Sequence, residues 1–353
     1  MGLRIRRRKK TNTNFFTNRK SRSSSRLALL AIFILIIIIL LGKGIEFFKA
    51  LGSPFSEDLL VKKEYTWNGK TSLNIAFKYK GISVVSYDPA AGTMVILNVP
   101  NDAYLDLPKG YGQWRIGSAY DLGQEENPPV GAELLKQSLS KLLGLPIDGF
   151  IAVKDERSAS SIDQLLLNMH GNPFKIIGFI KGAQTDFTPV ETFQLLGAIS
   201  KVRPDKVTTL DLASSSITSS ELLPDSSRVL GVDTIALDLF VRNHMADSTI
   251  SQEQETIAIF NATNHPGLAA DAAREVTNLG GDVISTTNTE KLLDKSIVLD
   301  PSNSLTGKRM VEIFAPLCAK VSCSSSDYRV KSSRAQINIV IGEDFYKDRY
   351  VRN

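Results

Sequence analysis

The sequence has few residues of the types that build metal centres and nucleophilic sites. Among its 353 residues there are two cysteines, Cys318 and Cys323, and three histidines. Two cysteines cannot supply the four ligands of a structural zinc site without help. The chain also lacks a Gly-x-Ser-x-Gly elbow and a His-Glu-x-x-His helix. It therefore gives no support to a serine hydrolase or a zinc protease.

Acidic residues are missing from the first 26 residues, which carry ten Lys and Arg side chains. The whole chain has a net charge of +5 and this segment supplies +10, so residues 27–353 sum to −5. The high isoelectric point thus belongs to a basic tail, whose Ser, Thr and Asn content is typical of an unfolded segment. The sequence predicts no nucleic-acid partner, because the remainder of the chain is acidic.

The one long hydrophobic run is Leu27–Leu41, in which thirteen of fifteen residues are Leu, Ile or Phe. It lacks the polar stripe of a core helix. As a helix it covers about 22 Å, and flanking residues through Phe48 extend it towards the ~30 Å of a bilayer core. No Ala-x-Ala site follows closely, although a cleaved signal peptide remains an alternative. Residues 27–48 are therefore predicted to be a transmembrane helix with its interface.

The basic tail sets the predicted orientation of this helix. Under the positive-inside rule residues 1–26 stay in the cytoplasm, and the rest of the chain is exported. The expected location is the cytoplasmic membrane, which the protein crosses once. The lipid bilayer is then its first partner.

Hydrophobic periodicity predicts a mixed α/β chain of the α+β kind beyond the membrane. Residues 49–71 are predicted to be a linker, 72–248 a first domain, 249–255 a second linker, 256–346 a second domain and 347–353 a tail. In the first domain, Val- and Ile-rich runs predict strands at 72–78, 82–87 and 93–99. Helical spacing predicts a helix at 130–143 that stops at Gly144, and Thr188-Pro189 predicts the start of another.

The second domain shows the order strand, helix, strand, strand, helix, strand. Its predicted elements are 256–260, 267–279, 283–286, 297–299, 304–319 and 336–341. This βαββαβ order suggests a split βαβ sandwich, with two helices on one face of a small sheet.

Two regions carry the motifs of a known family. Residues 84–108, VVSYDPAAGTMVILNVPNDAYLDLP, and 114–120, WRIGSAY, are followed by LLKQSLSKLLGLPIDGFIAV at 134–153. They resemble the strand–turn–strand, the Pro-Arg-Asp-Thr motif, the Lys-Ile-Asn-x-Ala-Tyr signature and the Ile-Pro-Ile-Asp turn of the LytR-CpsA-Psr family. Residues 257–284 and 337–345 resemble its LytR C-terminal domain.

This resemblance implies an extracytoplasmic phosphotransferase that moves glycopolymers from a polyprenyl pyrophosphate carrier to peptidoglycan. Such chemistry needs arginines for the pyrophosphate and a carboxylate for Mg²⁺ or Mn²⁺. Here Asn101 stands at the motif arginine, so the remaining catalytic or ligand-binding candidates are Asp102 and Arg115, with Asn101 beside them. Asn lacks the charge and the forked donors of a guanidinium. Asp102 is also the candidate for any metal.

Two further sets of residues are weaker candidates. Asn261, Thr263 and Gly267 precede a predicted helix, whose amino end can bind an anion, although ordinary capping explains them as well. Cys318 and Cys323 lie in the exported part, where a local disulfide is plausible; two free thiols are the alternative.

The sequence thus leaves three functions to compare. The first is a non-catalytic envelope protein that needs no cofactor and binds a cell-wall glycopolymer, a polyprenyl-linked carrier or other envelope proteins. The second is an active phosphotransferase using Mg²⁺ or Mn²⁺. The third, a transcriptional regulator, is disfavoured because the predicted topology separates the acidic domains from DNA.

The predicted topology can be tested through the two cysteines. In intact cells treated with a mild reductant, a membrane-impermeant maleimide is expected to label Cys318 and Cys323, because both lie outside the membrane. A sample without reductant controls for a disulfide, and a Cys318→Ser/Cys323→Ser variant gives the background. Labelling that needs permeabilised cells would contradict the orientation.

Overall fold

The structure is a computed structural model, which describes residues 66–153, 162, 164, 183–214, 216–316 and 333–352. All of them lie in one compact unit, residues 51–353. In these ranges no helix is both long and apolar enough to cross a membrane. The predicted anchor at 27–48 and the two cysteines lie outside the described residues.

A six-stranded sheet forms the centre of the first part of the chain, in the order β7-β6-β1-β2-β3-β8. Strands β1, β2 and β3 are antiparallel, while β6 pairs in parallel with β1 and β8 in parallel with β3. The carboxyl ends of β1, β3, β6 and β8 therefore meet at one edge. The strands are β1 Leu73–Lys78, β2 Ile82–Asp88, β3 Thr93–Val99, β6 Gly149–Val153, β7 Ala183–Thr185 and β8 Val207–Asp211.

Both faces of this sheet are covered, which explains why β1 and β2 contain almost no exposed residue. Alternate residues of a strand point to opposite faces. One face carries residues such as Leu73 and Ile75 and packs under α3; the other carries Ala76 and Val84 and packs under α2 and α4. The helices of this part are α1 Ala119–Gln124, α2 Gly131–Leu143, α3 Pro189–Ile199 and α4 Thr234–Met245.

The predicted helix boundaries at α2 and α3 are confirmed. α2 ends at Gly144, which adopts a left-handed φ of +58°. At α3, Thr188 accepts from the backbone of Glu191, whose carboxylate accepts from the Thr188 N–H. This reciprocal capping box stands before a proline in the first turn, as the sequence suggests.

Two hairpins in this part were not predicted. They are β4 Tyr104–Leu107 with β5 Gly112–Arg115, and β9 Thr218–Leu222 with β10 Arg228–Val232. Residues 213–220 are mostly Ser and Thr, a composition typical of a loop, yet β9 begins at Thr218. Pairing with β10 overrides the weak strand preference of this polar run.

The C-terminal part, residues 248–352, confirms the βαββαβ order but not the split arrangement. Its four strands lie in the order β12-β11-β14-β13, and β11 pairs in parallel directly with β12. Only residues 279–281 connect α6 to β12, and Gly281 lies close to Val276. The elements are α5 Ser248–Glu253, β11 Thr256–Asn261, α6 Leu268–Asn278, β12 Asp282–Asn288, β13 Ile297–Leu299, α7 Leu305–Phe314, β14 Ile337–Ile341 and α8 Glu343–Tyr350.

Helices occupy the segments predicted to be a linker and a tail. In the linker, α5 ends at Glu253, whose carboxylate accepts from the backbone of Leu305 and Thr306 at the start of α7. Burial alone would raise the pKa of Glu253, but the bonds from Thr306 and Leu305 lower it. In the tail, α8 carries Arg349, which donates to Glu275 of α6 at 2.5 Å.

The carboxyl end of α2 is completed by α6. Arg274 donates to the backbone carbonyl oxygens of Lys141 at 2.6 Å and of Leu142 at 2.9 Å. Asn278 donates to the carbonyl oxygen of Leu143 at 3.1 Å. Asp238 of α4 accepts from both donors. Any Cβ at Gly144 would lie 2.6 Å from Asn278 Nδ2 and 2.9 Å from Arg274 Nε. Glycine is required there for its backbone angle and for its lack of a side chain.

A buried ion pair also joins the two parts of the chain. Arg309 of α7 donates to both carboxylate oxygens of Asp148 at 2.9 and 2.8 Å, and both side chains are at most 2% exposed. Asp148 further accepts from the backbone N–H of Asn74 at the start of the sheet. Removing one partner of such a pair leaves the other charge buried, which costs more than the pair itself contributes.

We expect Arg309→Met to lower the free energy of unfolding by about 3 to 5 kcal/mol, the usual cost of breaking a buried pair. The measurement is urea unfolding of the full-length chain in detergent, followed by the fluorescence of the buried Trp67. Arg203→Met is the matched control, since its pair with Asp205 is exposed and is worth about 1 kcal/mol or less. Equal shifts of the urea midpoint for both variants would contradict the expectation.

Candidate functional site

The cavity at the carboxyl edge of the six-stranded sheet is the candidate site. Its volume is about 500 Å³, within the range of small-ligand sites. The edge where parallel strands end is where open α/β sheets commonly bind ligands. Its polar lining residues are Lys78, Lys80, Asn101, Tyr120, Asp121 and Gln184.

Strand ends and a short turn place the basic residues. Lys78 is the last residue of β1, and Lys80 lies in the turn to β2 with a left-handed φ of +54°. In that turn the N–H of Tyr79 donates to the carbonyl of Gly81 at 2.9 Å. The tight turn holds both lysines at the mouth of the cavity.

A 3₁₀ turn at Ile116–Ser118 places the opposite wall. Ile116 is fully buried, and its N–H donates to the carbonyl of Ala103 at 2.8 Å. The N–H of Gly117 donates to the carbonyl of Asn101 at 2.9 Å, and a Cβ on Gly117 would lie 2.9 Å from the Cβ of Asn101. Glycine at this position therefore allows Asn101 to approach and line the cavity.

Lys78 is held by a carboxylate and an aromatic ring. Its Nζ lies 3.0 Å from Asp121 Oδ1 and 4.4 Å from the ring centroid of Tyr120. The other face of that ring stacks on Phe150, with centroids 5.5 Å apart. Burial, with Asp121 nearby, raises the pKa of Tyr120, so its hydroxyl stays protonated and donates to Gln184 at 3.1 Å.

The predicted site residues lie in different places. Asn101 lines the cavity, whereas Asp102 and Arg115 are not among its lining residues. The side chain of Asp102 is exposed, and its carbonyl accepts from Leu230. Arg115 donates to the carbonyl of Arg228 at 3.1 Å, beside the β9–β10 hairpin. The roles predicted for Asp102 and Arg115 stay predictions.

The second set of candidates forms a closed loop before α6. Asn261 is 3% exposed; its Oδ1 accepts from the backbone and hydroxyl of Thr263, and its Nδ2 donates to the carbonyl of His265. Gly267 is the N-cap of α6 and has a φ of +93°. These bonds are those of a capping loop, and ligand binding by Asn261, Thr263 or Gly267 remains a prediction.

Sequence reasoning missed most of the cavity lining. Tyr120 lies within the quoted signature, but Lys78 and Lys80 gave no signal beyond the end of a predicted strand and its turn. Gln184 comes from a three-residue strand too short to predict. In the described ranges no three His, Cys, Asp or Glu side chains group as metal ligands would, and Asp121 is the carboxylate on the polar lining.

Three solved structures illustrate the structural similarity. TagT of Bacillus subtilis is 14% identical with a TM-score of 0.36, over 53% of this chain and 96% of that chain. TagV of B. subtilis is 18% identical with a TM-score of 0.37, over 48% and 94%. The LytR-CPS2A-psr family protein YwtF (TagT) with bound octaprenyl pyrophosphate lipid is 15% identical with a TM-score of 0.36, over 55% and 98%. At these values the similarity alone decides neither fold nor function.

The sequence comparison is restricted to the C-terminal part. No curated protein matches the sequence. Residues 254–345 match the family described as LytR cell envelope-related transcriptional attenuator. The predicted resemblance of this segment to the LytR C-terminal domain is therefore confirmed.

Proposed function

We propose that the chain is a membrane-anchored protein of the cell envelope whose edge cavity binds an anionic wall polymer through single phosphodiester groups, without transferring it. The C-terminal family match supports the envelope assignment. The hydrophobic run Leu27–Leu41 after a basic tail supports the anchor.

The charge of the cavity carries this proposal. On the part of the lining that the structure describes, two lysines and one aspartate give a formal charge of +1, and Lys78 pairs with Asp121. A phosphodiester link carries a single negative charge, whereas a pyrophosphate diester carries one on each phosphoryl group. The cavity matches the former, because uncompensated charge on a ligand costs binding energy.

The composition of the lining also supports binding over transfer. No arginine stands on the part of the lining that the structure describes, and Asn101 occupies the position of the family's motif arginine. Transfer breaks the phosphoanhydride bond of the carrier and would need fixed cations to stabilise the charge that develops on the leaving polyprenyl phosphate. Neutral donors such as Asn101, Tyr120 and Gln184 suit a diester or a sugar hydroxyl.

The phosphotransferase remains the second candidate, favoured by one observation. Asp121 presents a carboxylate at the cavity beside Lys78, and a carboxylate is the type of ligand that Mg²⁺ or Mn²⁺ takes. The transcriptional regulator has the weakest support, because residues 27–353 carry a net charge of −5.

Poly(glycerol phosphate) is expected to bind the full-length chain in detergent more tightly than inorganic pyrophosphate does, by isothermal titration. Lys80→Asn should weaken polymer binding about tenfold, since a hydrogen bond to a charged group is worth about 1.5 to 3 kcal/mol. Asn also tolerates the left-handed backbone of this position. Lys206→Asn, an exposed lysine outside the cavity, is the matched control.

The same preparations, given a polyprenyl-pyrophosphate-linked glycan with peptidoglycan and Mg²⁺ or Mn²⁺, separate the two candidates. Binding without turnover is expected. Turnover that Asp102→Ala or Arg115→Ala abolishes would overturn the proposal in favour of the phosphotransferase. Equal loss of polymer binding in the Lys80 and Lys206 variants would place the polymer outside the cavity.

Asn101→Arg should raise the affinity for inorganic pyrophosphate about tenfold or more, because it adds a forked cation to the lining. Asn101→Gln has similar polarity without charge and serves as the control. The ratio of the two dissociation constants is the measurement. An unchanged ratio would mean that residue 101 does not face the bound anion.

A further inference from the structure

Two helices of the described chain expose pairs of apolar side chains. On α3, Phe193 is 81% exposed and Val190 is 42% exposed; on α4, Ile235 is 82% and Leu239 is 59% exposed. The spacings of three and four residues put each pair on one helix face. Single exposed apolar residues are common, but a paired face calls for an occupant.

Helix α3 lies where the described part of the chain begins. The backbone N–H of Trp67 donates to Glu191 Oε1 in the first turn of α3 at 2.7 Å, and Glu191 is fully buried. The chain ahead of Trp67 leads back to the hydrophobic run that ends at Leu41. Those residues reach at most about 90 Å when extended. The hydrogen bond of Trp67 thus links the first turn of α3 to the segment that follows the predicted membrane helix.

The charges near the two faces differ. The residues after α3 expose Lys201, Arg203 and Lys206 against the single acid Asp205, a net charge of +2. Around α4 the exposed Asp233 and Arg242 cancel. An apolar helix face that is followed in the chain by exposed cations fits the interface of an anionic membrane, where Phe enters the acyl boundary and Lys meets headgroups.

We propose that the α3 face, Val190 and Phe193 with the neighbouring Lys201 and Lys206, rests on the lipid bilayer. This docking depends on the membrane anchor of the proposed function. It leaves the edge cavity clear of the membrane. The cavity lies at the carboxyl end of β1, whereas Trp67 lies before the first residue of β1. Helix α1, which lines the cavity, packs on the sheet face opposite α3.

The test uses tryptophan quenching by brominated acyl chains in vesicles of mixed anionic and zwitterionic lipid. The full-length chain is reconstituted as Phe193→Trp and, as matched control, as Ile235→Trp, an equally exposed position on the opposite side of the sheet. Emission of the parent chain, with Trp67 and Trp114, is subtracted. Quenching of the Phe193→Trp signal at least twice that of Ile235→Trp is expected.

A second variant tests the cationic border. Lys201→Gln/Lys206→Gln should reduce the quenching of Phe193→Trp in anionic vesicles and leave it unchanged in purely zwitterionic ones. Equal or absent quenching at residues 193 and 235, while the protein sediments with the vesicles, would overturn the docking and leave the anchor intact. Protein that stays in the supernatant would overturn the anchor and the docking with it. An emission shifted to shorter wavelength without quenching would overturn the docking and assign the face to a contact with a second copy of the chain, since the vesicles contain no other protein.

Discussion

The carboxyl end of α2 is the point where two parts of the chain become one structure. A helix leaves its last carbonyl groups unsatisfied, and here the partners come from α6, more than a hundred residues later. Arg274 and Asn278 fill these acceptors and are themselves oriented by Asp238. Because Gly144 leaves room for both donors, the LytR-like part is set against the helix that packs beneath the sheet. The C-terminal part is thus a component of the N-terminal core, not an attachment to it.

Much of the fold follows from the sequence because its signals are local and strong. The first three strands are Val- and Ile-rich runs separated by turn residues, and α2 and α3 carry their own stop and start signals in Gly144 and Thr188. The hairpins were missed because their stability comes from cross-strand pairing, and a polar run such as 218–222 carries no sequence pattern that predicts this pairing. The split arrangement was wrong because element order does not determine which strands are neighbours, and β11 pairs directly with β12.

The site was harder to predict than the fold for a different reason. Motif reasoning names Asn101 as a candidate, and the structure places this residue on the cavity lining. It pointed equally to Asp102, the next residue in the chain, and to Arg115, which lies at the end of β5, and neither is a lining residue. Lys78 and Lys80 become neighbours of Tyr120 through the sheet edge, over some forty positions of sequence. The carboxyl edge of the sheet therefore brings together polar side chains that are far apart in the sequence.

The capping box at α3 has a mechanical consequence. Its carboxylate, Glu191, also holds the N–H of Trp67, and the indole of Trp67 donates to the carbonyl of Thr71 just before β1. Any tension applied to the chain ahead of Trp67 thus passes into β1, which is flanked on both sides by β2 and β6. A pull along this strand loads its hydrogen bonds together in shear instead of peeling them one at a time. Force on the chain ahead of Trp67 would thus act on a strand that has hydrogen-bonded neighbours on both sides.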